Sequence, residues 1–267
     1  MSGSAIDELF ERTRADNRAA LVGYLPAGFP TKELSIRAIQ AMVEGGVDLV
    51  EIGLPYSDPV MDGPVIQAAA EQALAAGART SDVFDVVAAT AATGVPTVVM
   101  TYWNPVERYG VERFSADLAA AGGAGLITPD LIPDEAGEWV DASRSHELDR
   151  IFLVAPSSTD ERLSMTVEAA SGFVYATAVM GVTGAREQTS SLGEALVARV
   201  RSVSDKPVGV GLGVSNGTQA HEITAYADAV IVGSALVRCL LDAPDEDAGI
   251  EAVRALAADL RAGVERS

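Results

Sequence analysis

Lysine and histidine are almost missing from this 267-residue chain, which holds only Lys32, Lys206, His146 and His221. A Schiff-base lysine, a histidine triad or a histidine-rich metal centre would have to come from these four. Their positions argue against it. Lys206 and His146 lie just before apolar, strand-like runs, at the wrong end for barrel chemistry. Lys32 and His221 lie in helical patterns, and both histidines read as surface residues. No metal site is expected. Cysteine is scarcer still: Cys239 alone cannot form an internal disulfide, which fits a reducing compartment. No run of 18 apolar residues suggests a membrane span, and the first twenty residues lack the apolar core of a signal peptide. A cytoplasmic protein is expected. Basic residues number 19 against 38 acidic ones, a formal charge of −19. That balance opposes non-specific binding to nucleic acid or anionic membrane. An anionic ligand would need a local cradle of backbone N–H groups.

The chain does have eight short apolar runs: 20–25, 48–53, 96–102, 125–128, 150–155, 172–178, 207–212 and 228–233. Each is apolar nearly throughout, as strands covered on both faces should be. Helical patterns lie between them, over 32–44, 81–93, 111–121, 135–143, 160–170 and 245–264, and glycine often closes the helix. Ser4 and Asp7 open an extra amphipathic helix over 4–14 as a capping box. Eight βα alternations predict an α/β fold, a single (β/α)8 TIM barrel with an extra N-terminal helix, spanning 1–267 as one domain. An open doubly wound sheet is the alternative. The turn after the first strand, YLPAGFPT, lacks the glycine fingerprint that would favour it.

Against this pattern Glu51 is an anomaly, an acid inside the apolar run DLVEIG. Burying a charge is costly unless it has a partner or a task. Asp58 and Asp62 follow in the Pro/Gly-rich loop YSDPVMDGP. Catalytic groups of such barrels sit at the C-terminal strand ends and the loops beyond. Two carboxylates of unequal burial can divide into proton donor and acceptor. An arginine partner for Glu51, and turn-forming roles for Asp58 and Asp62, are the plainer alternatives. A second signal comes from MGVTGAREQTS, GLGVSNGTQA and GSAL, which follow the last three strands. Glycine admits a ligand to the backbone, and a helix N-terminus offers N–H groups to an anion. Three in succession favour a phosphate site over ordinary turns. Tyr24, Tyr102 and Tyr175, with Met100, Ile127, Leu212 and Ile231, fall near strand ends and are candidates to line an apolar pocket; core packing is the alternative. Trp103, Asn104 and Tyr109 follow the third strand, and Trp139 reads as packing. Cofactor-free acid–base chemistry on a phosphorylated small molecule is the reading that remains.

The segments LVEIGLPYSDPVMDGPVIQ, MTYWNP, MGVTGAR, VGLGVS and IVGSALV closely resemble those of the tryptophan synthase alpha chain family, in order along nearly the whole chain. The resemblance implies a (β/α)8 barrel that cleaves indole-3-glycerol phosphate to indole and glyceraldehyde 3-phosphate in tryptophan biosynthesis. By motif, Glu51 and Asp62 match the catalytic carboxylates. Gly184, Gly213, Gly233 and Ser234 match the phosphate loops. Tyr175 and Thr183 match residues over the substrate, with Thr183 in a lid after the sixth strand. Tyr24 and Leu212 stand where other members carry Phe. AGFP and VMDGP replace the more frequent GDP and LADGP forms. The resemblance also implies a partner, a pyridoxal-phosphate beta chain in an αββα heterotetramer that receives indole through a tunnel. Pro55, Tyr56, Asp58 and Asn104 would lie in or near the partner-facing loops. No cofactor is expected in this chain. The competing readings are another phosphate-binding barrel enzyme, such as an isomerase or the indole-glycerol-phosphate synthase, a subunit that mainly activates its partner, and a stand-alone indole-releasing lyase.

Overall fold

The eight apolar runs all become strands, with ends within two residues of those expected. The computed structural model describes residues 3–177 and 186–266. Strands β1 (Ala20–Pro26), β2 (Leu49–Gly53), β3 (Thr97–Met100), β4 (Gly125–Thr128), β5 (Asp149–Val154), β6 (Val174–Thr177), β7 (Val208–Gly211) and β8 (Ala229–Val232) run parallel and close into a barrel in chain order. β8 returns to β1 through Ala20↔Ala229 and Val22↔Ile231. Closure leaves no sheet edge and removes the doubly wound alternative.

Among the described residues twelve α-helices surround the barrel. They are α1 (Ala5–Ala15), α2 (Lys32–Glu44), α3 (Pro64–Ala75), α4 (Asp82–Ala91), α5 (Trp103–Tyr109) and α6 (Val111–Ala120), then α7 (Gly137–Ser145), α8 (Asp160–Ala169), α9 (Arg186–Arg201), α10 (Gly217–Thr224), α11 (Ser234–Leu241) and α12 (Glu246–Gly263). The helix expected over 135–143 is shifted. Pro133–Glu135 forms a separate 3₁₀ turn, and α7 starts after it. Helices α9, α10 and α11 follow the last three strands, where the sequence marks helix starts without ranges, and α3 and α5 have no counterpart in the patterns described above.

The period-2 alternation of strand side chains divides the core in two. Leu21, Leu25, Val230 and Val232 point outward to the helices, in the larger cluster. Ala20, Val22, Leu49, Val98, Ile127, Ile151, Phe173, Ala229 and Ile231 point inward. The inner cluster also contains Ile6, Leu9 and Phe10 of α1, and Phe10 meets Phe173 with ring centroids 5.8 Å apart. The extra helix therefore plugs the N-terminal end of the barrel. Its capping box forms as expected, with the Asp7 amide donating to Ser4 Oγ and the Ser4 amide donating to Asp7 Oδ2. The bottom of the barrel is sealed, and the open rim is the C-terminal one.

Candidate active site

Glu51 occupies an inward position on β2, paired in register with Tyr24 of β1 and Val98 of β3. It is 1% exposed, and its Oε2 has no hydrogen-bond partner among the described residues. The arginine partner weighed above is therefore not what holds it. Burial, with a further push from the Asp62 charge, raises the Glu51 carboxyl to about 8. At neutral pH it holds its proton.

Asp62 faces Glu51 from the loop after β2. Burial raises its pKa above the usual carboxylate value, and a hydrogen bond from Tyr102 opposes that rise. Tyr102 Oη donates to Asp62 Oδ1 at 3.0 Å. The backbone of residue 62 is held separately, since Gln67 Nε2 in α3 donates to the Asp62 carbonyl at 2.7 Å. Two nearby acids thus sit in different environments, one stripped of partners and one supported by a phenol. Environments of this kind push two carboxyls toward different protonation states.

Two tyrosines flank the pair. Tyr24 and Tyr175 both hold their phenol protons far above the usual range. Burial is the main cause for each; Asp62, Glu51 and Tyr102 add to it for Tyr24, and Glu51 and Tyr24 for Tyr175. Each ring lies over a glycine of the next strand. A Cβ at Gly53 would overlap the Tyr24 hydroxyl, and one at Gly211 would come within 2.8 Å of the Tyr175 hydroxyl. These inward glycines make room for large rings at the rim.

The other expected residues fall into groups. Ile127 and Ile231 are buried in the inner cluster, and Met100 packs against it half-buried. Leu212 packs instead on the outer cluster, beside Gly193 of α9. Tyr102, expected along the pocket, has its hydroxyl committed to the loop. Tyr56 stacks on Tyr102 with centroids 5.4 Å apart. Asp58 is exposed and accepts from Ser57 Oγ at 2.5 Å, while Pro55 is half-buried and Asn104 is exposed on α5. Thr183 and Gly184 lie outside the described residues.

The phosphate expectation becomes narrower. Helix α10 is already capped: Asn216 Oδ1 accepts from the Gln219 amide at 3.0 Å, and Asp259 Oδ2 accepts from the Gly217 amide at 2.6 Å. An acid at that N-terminus excludes it as an anion cradle. The loop before it remains, where Gly213 is exposed with a φ of +67°. Helix α11 begins at exposed Ser234 behind Gly233, with no side-chain cap. A Cβ on Gly233 would lie 3.5 Å from Tyr24, so this N-terminus adjoins the tyrosine-lined mouth.

The scarce residues are spent elsewhere. Lys206 Nζ donates to the Val167 carbonyl at 2.6 Å, at the end of α8. Lys32 pairs with Asp82 and Asp85. His146 meets Glu112 at 2.7 Å, and His221 meets the Glu265 carbonyl at 3.0 Å. Trp139 is fully buried packing. No group of three metal-ligating side chains occurs among the described residues.

Barrel and rim together define a (β/α)8 enzyme arranged for acid–base chemistry. A family model described as tryptophan synthase alpha chain matches residues 10–265. The tryptophan synthase alpha chain of Salinispora arenicola is 65% identical over 261 residues, covering 98% of each chain. A solved tryptophan synthase structure from Mycobacterium tuberculosis matches with a TM-score of 0.93 at 57% identity, covering 100% of both chains. Tryptophan synthase subunit alpha from Legionella pneumophila matches at 0.90 with 31% identity, over 98% of this chain and 99% of that one. The chain belongs to the tryptophan synthase alpha chain family, lyases that cleave indole-3-glycerol phosphate and are generally cofactor-free. An alpha chain implies a beta partner. No described helix is long and apolar enough to cross a membrane.

Proposed function

We propose that Glu51 and Asp62 perform the cleavage as a divided carboxyl pair. The single observation that carries this reading is a fully buried Glu51, protonated up to about pH 8, facing Asp62 at the C-terminal rim. Protonated Glu51 donates to indole C3, which converts the ring to an indolenine. Asp62 stabilises the positive charge at the ring N–H. Glu51, now a carboxylate, removes the proton of the hydroxyl adjacent to the bond. The C–C bond breaks, its electron pair returns to the ring, and an aldehyde forms. Glu51 ends with its proton, so the cycle balances. Each acid–base role is worth ~100–10,000-fold.

Gly213, Gly233 and Ser234 are proposed to bind the phosphate, together with Gly184. Tyr24, Tyr175, Met100, Ile127 and Ile231 line the indole side, with Thr183 over the substrate. Leu212 shapes this wall from behind. Binding at the phosphate orients the scissile bond. The beta chain is proposed to carry pyridoxal phosphate, to assemble as αββα, and to meet the loops around Pro55, Tyr56, Asp58 and Asn104. Exposed Val60 and Met61, at 82% and 50%, support an interface there. We read the chain as one barrel domain in the cytoplasm. Backbone bonds from Ala19 to Val264 and from Arg266 to Asn17, tying its two ends together, support the single domain.

An assay for indole release from indole-3-glycerol phosphate, with and without the cognate beta chain, tests the reading. Release by the isolated chain, increased by the partner, is expected. Ring closure instead of release would identify a synthase. Activity that the partner leaves unchanged would identify a stand-alone lyase, and none without the partner an activator subunit.

A further inference from the structure

Glu51 must carry a charge at one stage of the cycle proposed above, in surroundings that oppose it. Its Oε2 has no hydrogen-bond partner among the described residues, and the Asp62 charge resists its ionisation. Its register partner on β3 is Val98, and Met100, Ile127 and Ile231 belong to the same apolar interior. A buried carboxylate without a donor is costly. One hydroxyl lies near enough to serve. Tyr24 is the register partner of Glu51 on β1, and its ring crosses onto β2. Its Oη fills the space that a Cβ on Gly53 would take. Gly53 is two residues beyond Glu51, so it shares the inward face, roughly 7 Å further along the strand. The Tyr24 hydroxyl therefore sits above the Glu51 side chain on the rim side, where a turn of the flexible glutamate stem brings the carboxyl to it. This hydroxyl makes no hydrogen bond among the described residues, so its proton is free to be donated. The hydroxyl of Tyr175 lies over Gly211 of β7, three strands from Glu51 around the barrel.

We infer that Tyr24 is a positioning residue for Glu51: its hydroxyl donates to the Glu51 carboxylate after that group has given up its proton, and holds it aimed at the proton it takes next. The inference rests on the acid–base reading above. Among the described residues, the ionisable groups facing Glu51 are Tyr24 from β1, Asp62 from the loop after β2 and Tyr175 from β6. Asp62 repels the charge and Tyr175 reaches toward β7, which leaves Tyr24 as the donor. A hydrogen bond to an ionised acceptor is stronger than one to a neutral group, so this contact gains strength only as charge develops on Glu51.

Tyr24→Phe keeps the ring and removes the donor. In the alpha–beta complex kcat should fall about tenfold to a hundredfold, the range for a hydrogen bond to a charged group, with KM for indole-3-glycerol phosphate little changed. The basic limb of the kcat/KM–pH profile reports the essential acid of the free enzyme. It should move up by about one to two pH units, because ionised Glu51 has lost its donor. A lower kcat with the limb unmoved would show packing alone and overturn the inference. So would a raised KM with kcat intact, or a limb that moves with Tyr175→Phe and not with Tyr24→Phe. Circular dichroism and thermal unfolding check that the variant folds. If it does not, 3-fluorotyrosine at position 24 preserves the shape and donates more strongly. It should move the basic limb downward, and no movement overturns the inference. In wild type the basic limb should lie near pH 8 and be one that Glu51→Gln removes. If Glu51→Gln keeps that limb, the underlying acid–base reading fails and the role of Tyr24 falls with it.

Discussion

Glu51 is held protonated by a fold that disfavours its charged form. Its pKa rises from 4.5 to about 8 because the barrel wall removes water and Asp62 adds negative charge. Between those values the native protein holds a proton that the unfolded chain has released. Stability must therefore fall as pH rises across that window, by about 1.4 kcal/mol per pH unit for this group. Below 4.5 both states are protonated and the cost is absent. Glu51→Gln has the same shape and does not titrate. Urea unfolding should find the variant more stable than wild type by a few kcal/mol at pH 8, with the advantage vanishing near pH 4. A difference that does not change with pH would contradict the assigned burial cost. The acid was legible in the sequence because a charge interrupts an apolar strand. The role of Tyr102 was not legible, because its donors are backbone amides 41 and 42 residues away, which leave no mark on side-chain pattern, and its acceptor is the Asp62 carboxylate 40 residues away.

Among the elements, the strands were the most legible, since burial on both faces leaves short, continuous apolar runs. Helix α3 escaped because its buried face is alanine, with Ala69, Ala70 and Ala73 giving little amphipathic contrast. Helix α5 has seven residues, too few to display a period of 3.6. Local sequence also could not show that α10 is capped by Asp259, which arrives from α12, 42 residues along the chain. What survives of the phosphate expectation is the Gly213 loop and the start of α11. Gly213→Asp places a negative charge there and should raise KM for indole-3-glycerol phosphate about tenfold or more, with kcat changed far less, since one lost charge-assisted contact is worth about that much. Gly213→Ala is the control, because φ is +67° and any side chain strains this turn. Equal KM changes in the two variants would assign the effect to strain and count against a phosphate there.

For the whole molecule, the decisive feature is polarity along the barrel axis. Helix α1 fills the N-terminal end with Ile6, Leu9 and Phe10, while glycines at 53 and 211 open the C-terminal end around two tyrosines. With 38 acidic residues against 19 basic ones, the chain would need backbone N–H groups at this one rim to accept an anionic substrate. Catalysis and partner contact would then share a rim, since exposed Val60 and Met61 lie beside Asp62. The most direct measurement is single-turnover release of indole from indole-3-glycerol phosphate by the alpha–beta complex, comparing wild type, Glu51→Gln and Asp62→Asn, with substrate binding measured in parallel. The account requires Glu51→Gln to bind substrate normally and to lose at least about a hundredfold in rate, with a large fall in rate for Asp62→Asn as well. Retention by Glu51→Gln of more than about a tenth of the wild-type rate, against that range, would contradict it.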